Sequence, residues 1–183
     1  MSESKTPVHV AVIPDGNRRW AVRKGLKAAA GHRAAAREEH LRDLLDCARE
    51  EGVHYMSFWA FSTENWKRSP AEVKHLFSVI AEVISILKRD AIKNRICCKH
   101  IGRKDRIPTA IRAALEDLEE VTRTYTDFYV LLCVDYGGRD ELIRAATRMA
   151  EEGKGIVSEE LLLPIGRESW KGAASGCRQG RRG

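Results

Sequence analysis

Val8-His9-Val10-Ala11-Val12-Ile13-Pro14 runs without a break into Asp15-Gly16-Asn17-Arg18-Arg19-Trp20-Ala21. The first six residues are mostly apolar and stop at a proline, which reads as a short buried strand. Gly16 permits a backbone turn tight enough for a ligand to approach. The residues after it open a helix, whose free N–H groups and positive dipole end suit a phosphate. Arg18 and Arg19 add guanidinium groups that grip phosphate oxygens in pairs. Asp15 would repel a bare anion. A divalent cation between carboxylate and phosphate removes that conflict, so Asp15 implies Mg²⁺, a hard ion that prefers such oxygens. Taken alone, the block also reads as an Asp-Gly turn opening a surface helix.

A second stretch repeats the arrangement. His54-Tyr55-Met56-Ser57-Phe58-Trp59-Ala60-Phe61 reads as another buried strand and passes straight into Ser62-Thr63-Glu64-Asn65-Trp66-Lys67-Arg68. Ligands of open α/β folds bind beyond the carboxyl ends of strands, so two such ends with complementary chemistry point to one cleft. Ser62 and Asn65 offer it hydrogen bonds, Arg68 a charge, and Phe61 and Trp66 flat apolar walls. Gly31-His32 lies between the two stretches at a helix start. The mixture suits a ligand with an anionic head and an apolar body.

Outward from these blocks, Ala28 to Glu51 reads as one helix with Ala34, Leu41, Leu44, Leu45 and Ala48 on one side, closed by Gly52. Ser69, Pro70 and Glu72 form a capping box with proline at the first helical position. Behind them Val73, Leu76, Phe77, Ile80, Val83, Ile84 and Leu87 make a broad apolar face, for the core or for a ligand. Ile96 to Ile101 reads as a strand and Pro108 to Tyr125 as a helix carrying Ile111, Ala114, Leu115, Leu118 and Val121. Phe128 to Val134 is a further strand. After Asp135-Tyr136-Gly137-Gly138-Arg139, in which the glycine pair makes the turn, comes a helix from Asp140 to Glu151. Strands alternating with crossover helices predict an α/β fold, a largely parallel central sheet covered by helices.

At 183 residues and 43% hydrophobic content the chain can bury one core, so residues 1–163 are expected to form a single α/β domain. From Pro164 the periodicity stops. Residues 164–183 hold five Lys and Arg against one Glu, +4 of the chain's +6, and read as a disordered basic tail. Such a tail is one means of peripheral contact with an anionic membrane. Nothing outside it has the basic, aromatic-studded pattern of a nucleic-acid binder, so no nucleic acid is expected. No charged-then-apolar pattern of a signal segment is read in the opening residues, so export is not expected, and no apolar run approaches the roughly 20 residues that span a bilayer. Of Cys47, Cys97, Cys98, Cys133 and Cys177, none has paired metal spacing and four lie in apolar patterns. They read as buried, reduced thiols of a cytoplasmic protein.

Four blocks in order, Asp15 to Ala21, Gly31-His32, Phe61 to Arg68 and Asp135 to Arg139, resemble the cis-prenyltransferases, the undecaprenyl or polyprenyl diphosphate synthases. The resemblance implies a dimeric, Mg²⁺-dependent transferase of the undecaprenyl or dolichol pathways. It would condense isopentenyl diphosphate with an allylic diphosphate such as farnesyl diphosphate, adding a cis double bond each time. It also implies a helix-lined hydrophobic tunnel for the growing chain. Asp15 would hold the metal, and Gly16, Asn17, Arg18, Arg19, Trp20 and His32 would bind substrate. Phe61, Ser62, Thr63, Glu64, Trp66 and Arg68 join them from the second block. Asn65 is assigned to the proton-loss step. Because an amide is a poor base, it is read as an orienting group acting through a diphosphate oxygen. The paired aspartate-rich motifs of the all-helical trans-prenyl synthases are absent.

Two departures stand out. Most family members carry arginine where this chain has Ala28, and Lys27, one place earlier, points about 100° away on a helix. Beyond Pro164 nothing corresponds to the family's C-terminal segment, which binds isopentenyl diphosphate, assists the metal and builds much of the dimer interface. The expectation is an early-terminated or frame-shifted end. The alternative function is then a catalytically impaired isoprenoid-diphosphate-binding chain or subunit.

Overall fold

A computed structural model describes residues 7–153. The expectations for residues 164–183 and Cys177 lie outside them. The order is β1 (His9–Val12), α1 (Asn17–Arg23), α2 (Ala28–Ala35), α3 (Glu38–Glu50), β2 (Tyr55–Ser62), a 3₁₀ turn (Thr63–Lys67), α4 (Pro70–Asn94), β3 (Ile96–Ile101), α5 (Thr109–Thr122), β4 (Phe128–Tyr136) and α6 (Gly138–Glu151). The four strands form one parallel sheet in the order β1-β2-β4-β3, as the alternation of strands and crossover helices predicts. β4 is interior and buried along almost its whole length, which is why Phe128 to Val134 is an unbroken apolar run.

The opening strand departs from expectation. β1 is an edge strand whose residues alternate between exposed and half-buried, and Val8 and Ile13 are 60% and 65% exposed. Among the described residues it has only β2 for a neighbour, and none of them covers the other side of its apolar run. The single helix expected over residues 28–51 is two. Arg37 is extended (φ −62°, ψ 138°), separating α2 from α3. α2 leans on α1, whereas α3 turns Leu45 and Ala48 into the core, and one straight helix cannot serve both directions. Glu38 and Glu39 favour a fresh helix start, their charge complementing its dipole. Gly138 is already helical, so Gly137 alone carries the turn into α6. Cys97, Cys98 and Cys133 are buried as expected, but Cys47 is exposed because α3 points its neighbours Leu45 and Ala48 inward instead.

α4 begins where Ser69, Pro70 and Glu72 predict: the Ser69 hydroxyl accepts the Glu72 backbone N–H at 3.3 Å. Its apolar face divides. Phe77 stacks on Phe61 (ring centroids 4.7 Å) in the core. Leu76, Ile80, Val83, Ile84 and Leu87, with Val79, line a cavity of about 240 Å³ between α4, α3 and the sheet. Among the described residues no helix is long and apolar enough to cross a membrane.

Candidate active site

The site begins at the carboxyl end of β1. Gly16 adopts φ +83° and ψ −3°, a left-handed conformation that a side chain would strain, and from it α1 starts with no side-chain cap over its first N–H groups. Asp15 precedes it. Its Oδ1 accepts the Gly16 N–H at 2.5 Å and its Oδ2 the Arg19 guanidinium at 3.0 Å, and the side chain stands 82% exposed. Gly31 explains how His32 arrives here. A Cβ at Gly31 would lie 1.9 Å from the Asn17 carbonyl oxygen, so only glycine lets α2 press onto the first residue of α1.

The result is an open cleft of about 980 Å³ lined by Pro14, Asp15, Gly16, Asn17, Arg18, Arg19, Val22, Arg23, His32 and Arg68. Four guanidinium groups face one carboxylate, so the cleft is strongly cationic. His32 is half-buried; desolvation above all, helped by Arg68, His75 and Arg18 and opposed by Glu72, holds its pKa below the usual 6.5. Both causes favour the neutral imidazole in the free protein.

Pro14, Asn17 and His32 line both this cleft and the apolar cavity. The rest of the cavity wall comes from the helices named above and from Val12, Phe58, Ala60, Leu132 and Val134 of the sheet. A polar, cationic mouth thus opens onto an apolar interior, the form that an anionic head on an apolar tail requires.

Residues 13–169 match the family model for undecaprenyl diphosphate synthase, a prenyltransferase. This chain belongs to the cis-prenyltransferase family. It is 38% identical over 161 residues to an isoprenyl transferase of Aquifex pyrophilus, which is 88% of this chain and 69% of that one. It is 40% identical over 151 residues to isoprenyl transferase 2 of Corynebacterium glutamicum, covering 81% of this chain and 61% of the relative. Its fold is similar to the crystal structure of lavandulyl diphosphate synthase from Lavandula x intermedia in complex with dimethylallyl diphosphate. There the TM-score is 0.81 at 28% identity, over 87% of this chain and 70% of that one.

The prenyltransferase fold sorts the residues singled out in the sequence. Asp15, Gly16, Asn17, Arg18, Arg19, His32 and Arg68 meet in the cleft. Arg23 joins them, and its spacing of four from Arg19 on one helix was the available signal. Trp20 faces the opposite side of α1, in a groove with Leu26 and Lys27. Phe61 and Trp66, expected as cleft walls, turn inward: Phe61 is fully buried, and the Trp66 ring packs against Phe61 and Phe77. Phe61 turns into the core where a register shift after Trp59 alters the last residues of β2, and Trp66 packs onto it from the 3₁₀ turn.

Ser62 and Asn65 cap the 3₁₀ turn reciprocally, with the Asn65 side-chain oxygen accepting the Ser62 N–H at 3.0 Å. Asn65 is thereby held in one orientation, with its amide nitrogen uncommitted in that pair. Thr63 packs against Gly137, and Glu64 is exposed, its carboxyl held low by its own backbone N–H and the Ser62 hydroxyl.

One arrangement was invisible in the sequence. Asp135, fully buried at φ +54°, accepts Arg106 Nε at 2.6 Å and the Arg106 terminal nitrogen at 2.7 Å, and the Trp66 indole N–H at 2.9 Å. This ties the 3₁₀ turn that carries Asn65 to the end of β4.

Among the described residues no group of three or more His, Cys, Asp or Glu side chains is placed to hold a metal. A lone carboxylate still fits Mg²⁺, which is usually held by one or two carboxylates together with substrate phosphates. Asp15 is exposed at the mouth of a cleft suited to those phosphates.

Proposed function

We propose that this chain transfers an allylic prenyl group to isopentenyl diphosphate and creates a cis double bond, the observation carrying this being the cationic cleft that opens into an apolar cavity. The allylic diphosphate places its head against Arg18, Arg19, Arg23, Arg68 and His32 and its chain along Leu76, Ile80 and Val83. In the reaction a bond forms from the allylic C1 to the terminal alkene carbon of isopentenyl diphosphate. The C1–O bond breaks with its electron pair leaving on diphosphate, and a proton is lost from the CH2 beside the internal alkene carbon, whose C–H electrons become the new double bond. The guanidinium groups stabilise the charge that grows on the departing diphosphate. Mg²⁺, when bound, would be held by Asp15 and would neutralise diphosphate charge. Asn65, fixed by Ser62, orients the second substrate rather than accepting its proton.

The resemblance also supports a dimer, a cytoplasmic location with peripheral membrane contact, and residues 1–163 as one domain, for which the single sheet and the main core of residues 7–153 speak. The test is extension of farnesyl diphosphate with radiolabelled isopentenyl diphosphate and Mg²⁺. Labelled polyprenyl product is expected; saturable farnesyl diphosphate binding without product would overturn the transferase reading.

The state of His32 makes a separate prediction. Burial above all, with the cationic neighbours second, holds its pKa down; a bound diphosphate sets a negative charge beside the ring and favours the imidazolium, so the bound complex takes up a proton. Affinity for a prenyl diphosphate should rise as pH falls through the raised, bound-state pKa and level off below the depressed, free-state one. Calorimetry in buffers of different ionisation enthalpy should show more proton uptake for the parent chain than for His32→Gln. Equal uptake by both would remove His32 from the diphosphate site.

A further inference from the structure

Residues 16–37 contain seven Lys and Arg and no Asp or Glu, a local excess hidden when the net charge is assigned to the tail. The fold concentrates them. On the side of α1 and α2 away from the cavity lies an open groove of about 530 Å³ in which Trp20, Leu26, Lys27, Arg33 and Arg37 meet. Trp20 is 39% and Leu26 47% exposed. Arg18, Arg19 and Arg33 pair with Glu72, Asp15 and Glu82, but among the described residues Lys24, Lys27 and Arg37 form no ion pair. The groove shares Ala29 and His75 with a hollow that also contains Arg18, His32 and Arg68 of the cleft. The exposed apolar side chains and the unpaired cations therefore lie beside the active-site mouth.

We propose that this face docks onto a bilayer surface carrying anionic lipid. Such a surface accommodates both halves of the pattern: headgroups answer the unpaired cations, and the interfacial zone takes Trp20 and Leu26. A nucleic acid or an acidic peptide would answer the charge and leave the apolar residues in water. The proposal deepens the function above, since a long prenyl diphosphate is itself a bilayer lipid, and rests on that reading for its purpose but not for its geometry.

The test is flotation of the full chain with phosphatidylcholine vesicles made with and without phosphatidylglycerol. The chain should float only with the anionic vesicles, and less as salt is raised. The double variant Leu26→Asp with Arg37→Glu, which keeps the tail and every cleft residue, should partition about tenfold less or weaker still. Its extension rate on soluble farnesyl diphosphate should stay at the parent value. Should that variant fail to fold, Lys24→Glu with Arg37→Glu, both fully on the surface, reads the same surface. Undiminished flotation of a folded variant would place binding elsewhere. Failure of the parent chain to float, or conversion of a dimer to monomer by the substitutions, would also reject the lipid surface. The vesicles contain no prenyl lipid, so the outcome is independent of whether the extension assay yields product.

Discussion

An Asp15→Ala chain should turn over about a thousandfold more slowly than the parent, the scale of losing one electrostatic stabiliser of a developing anion. Its thermal midpoint should not change. Asp15 is 82% exposed and its ion pair with Arg19 lies in solvent, where such pairs contribute little. The affinity for diphosphate carries the more discriminating sign. Without Mg²⁺, Asp15 is the one carboxylate facing the ligand among four guanidinium groups, so removing it should tighten farnesyl diphosphate binding in chelator. With Mg²⁺ the order should reverse, since the parent alone holds the metal. Titrations of both chains, with and without the ion, check this. A variant that keeps the parental rate, or whose affinity changes alike in both conditions, would show that Asp15 does not hold the metal.

Arg106→Met should be the most destabilising single change at the site. Asp135 is fully buried, and removing Arg106 leaves its carboxylate with only the Trp66 indole N–H. Breaking a buried pair from the side that strands the buried charge costs about 3–5 kcal/mol, here toward the lower figure. The reason is that the Arg106 side chain is 37% exposed, so water reaches part of the vacated space. For a chain of this length that is about 10 °C in thermal midpoint. Asp135→Asn should cost less, because asparagine tolerates the left-handed backbone and keeps an acceptor for Trp66. Thermal melts of the two variants give the comparison. If Arg106→Met melted with Asp135→Asn or above it, the pair would not be what fastens the 3₁₀ turn to β4.

The contrast between those sites marks how far the sequence could be read. Asp15, Gly16, Arg18 and Arg19 lie within five residues, and their strand–turn–helix context is set by nearest neighbours, so their meeting in the cleft follows from local pattern. The start of α4 is legible for the same reason: Ser69, Pro70 and Glu72 satisfy one another within a single turn. The split of residues 28–51 into α2 and α3 had no proline or glycine to announce it, because the break answers two packing directions rather than a local preference. The inward turn of Phe61 was equally hidden, since the register shift that causes it is a property of the pairing between β2 and β4.

Alone, the amino-acid order determined the alternation of strands and helices, the parallel sheet that follows from it, and the family blocks with their phosphate-seeking groups. Each depends on periodicity, capping or turn chemistry acting over a few residues. Tertiary structure decided which face of α4 lines the cavity and that Asp135 meets Arg106 across 29 positions of chain. It also decided that Lys27, Arg33 and Arg37 share a groove with Trp20 and Leu26. Those outcomes depend on which distant backbone approaches, and close approach is set by the packing of whole elements, which no short stretch of chain encodes.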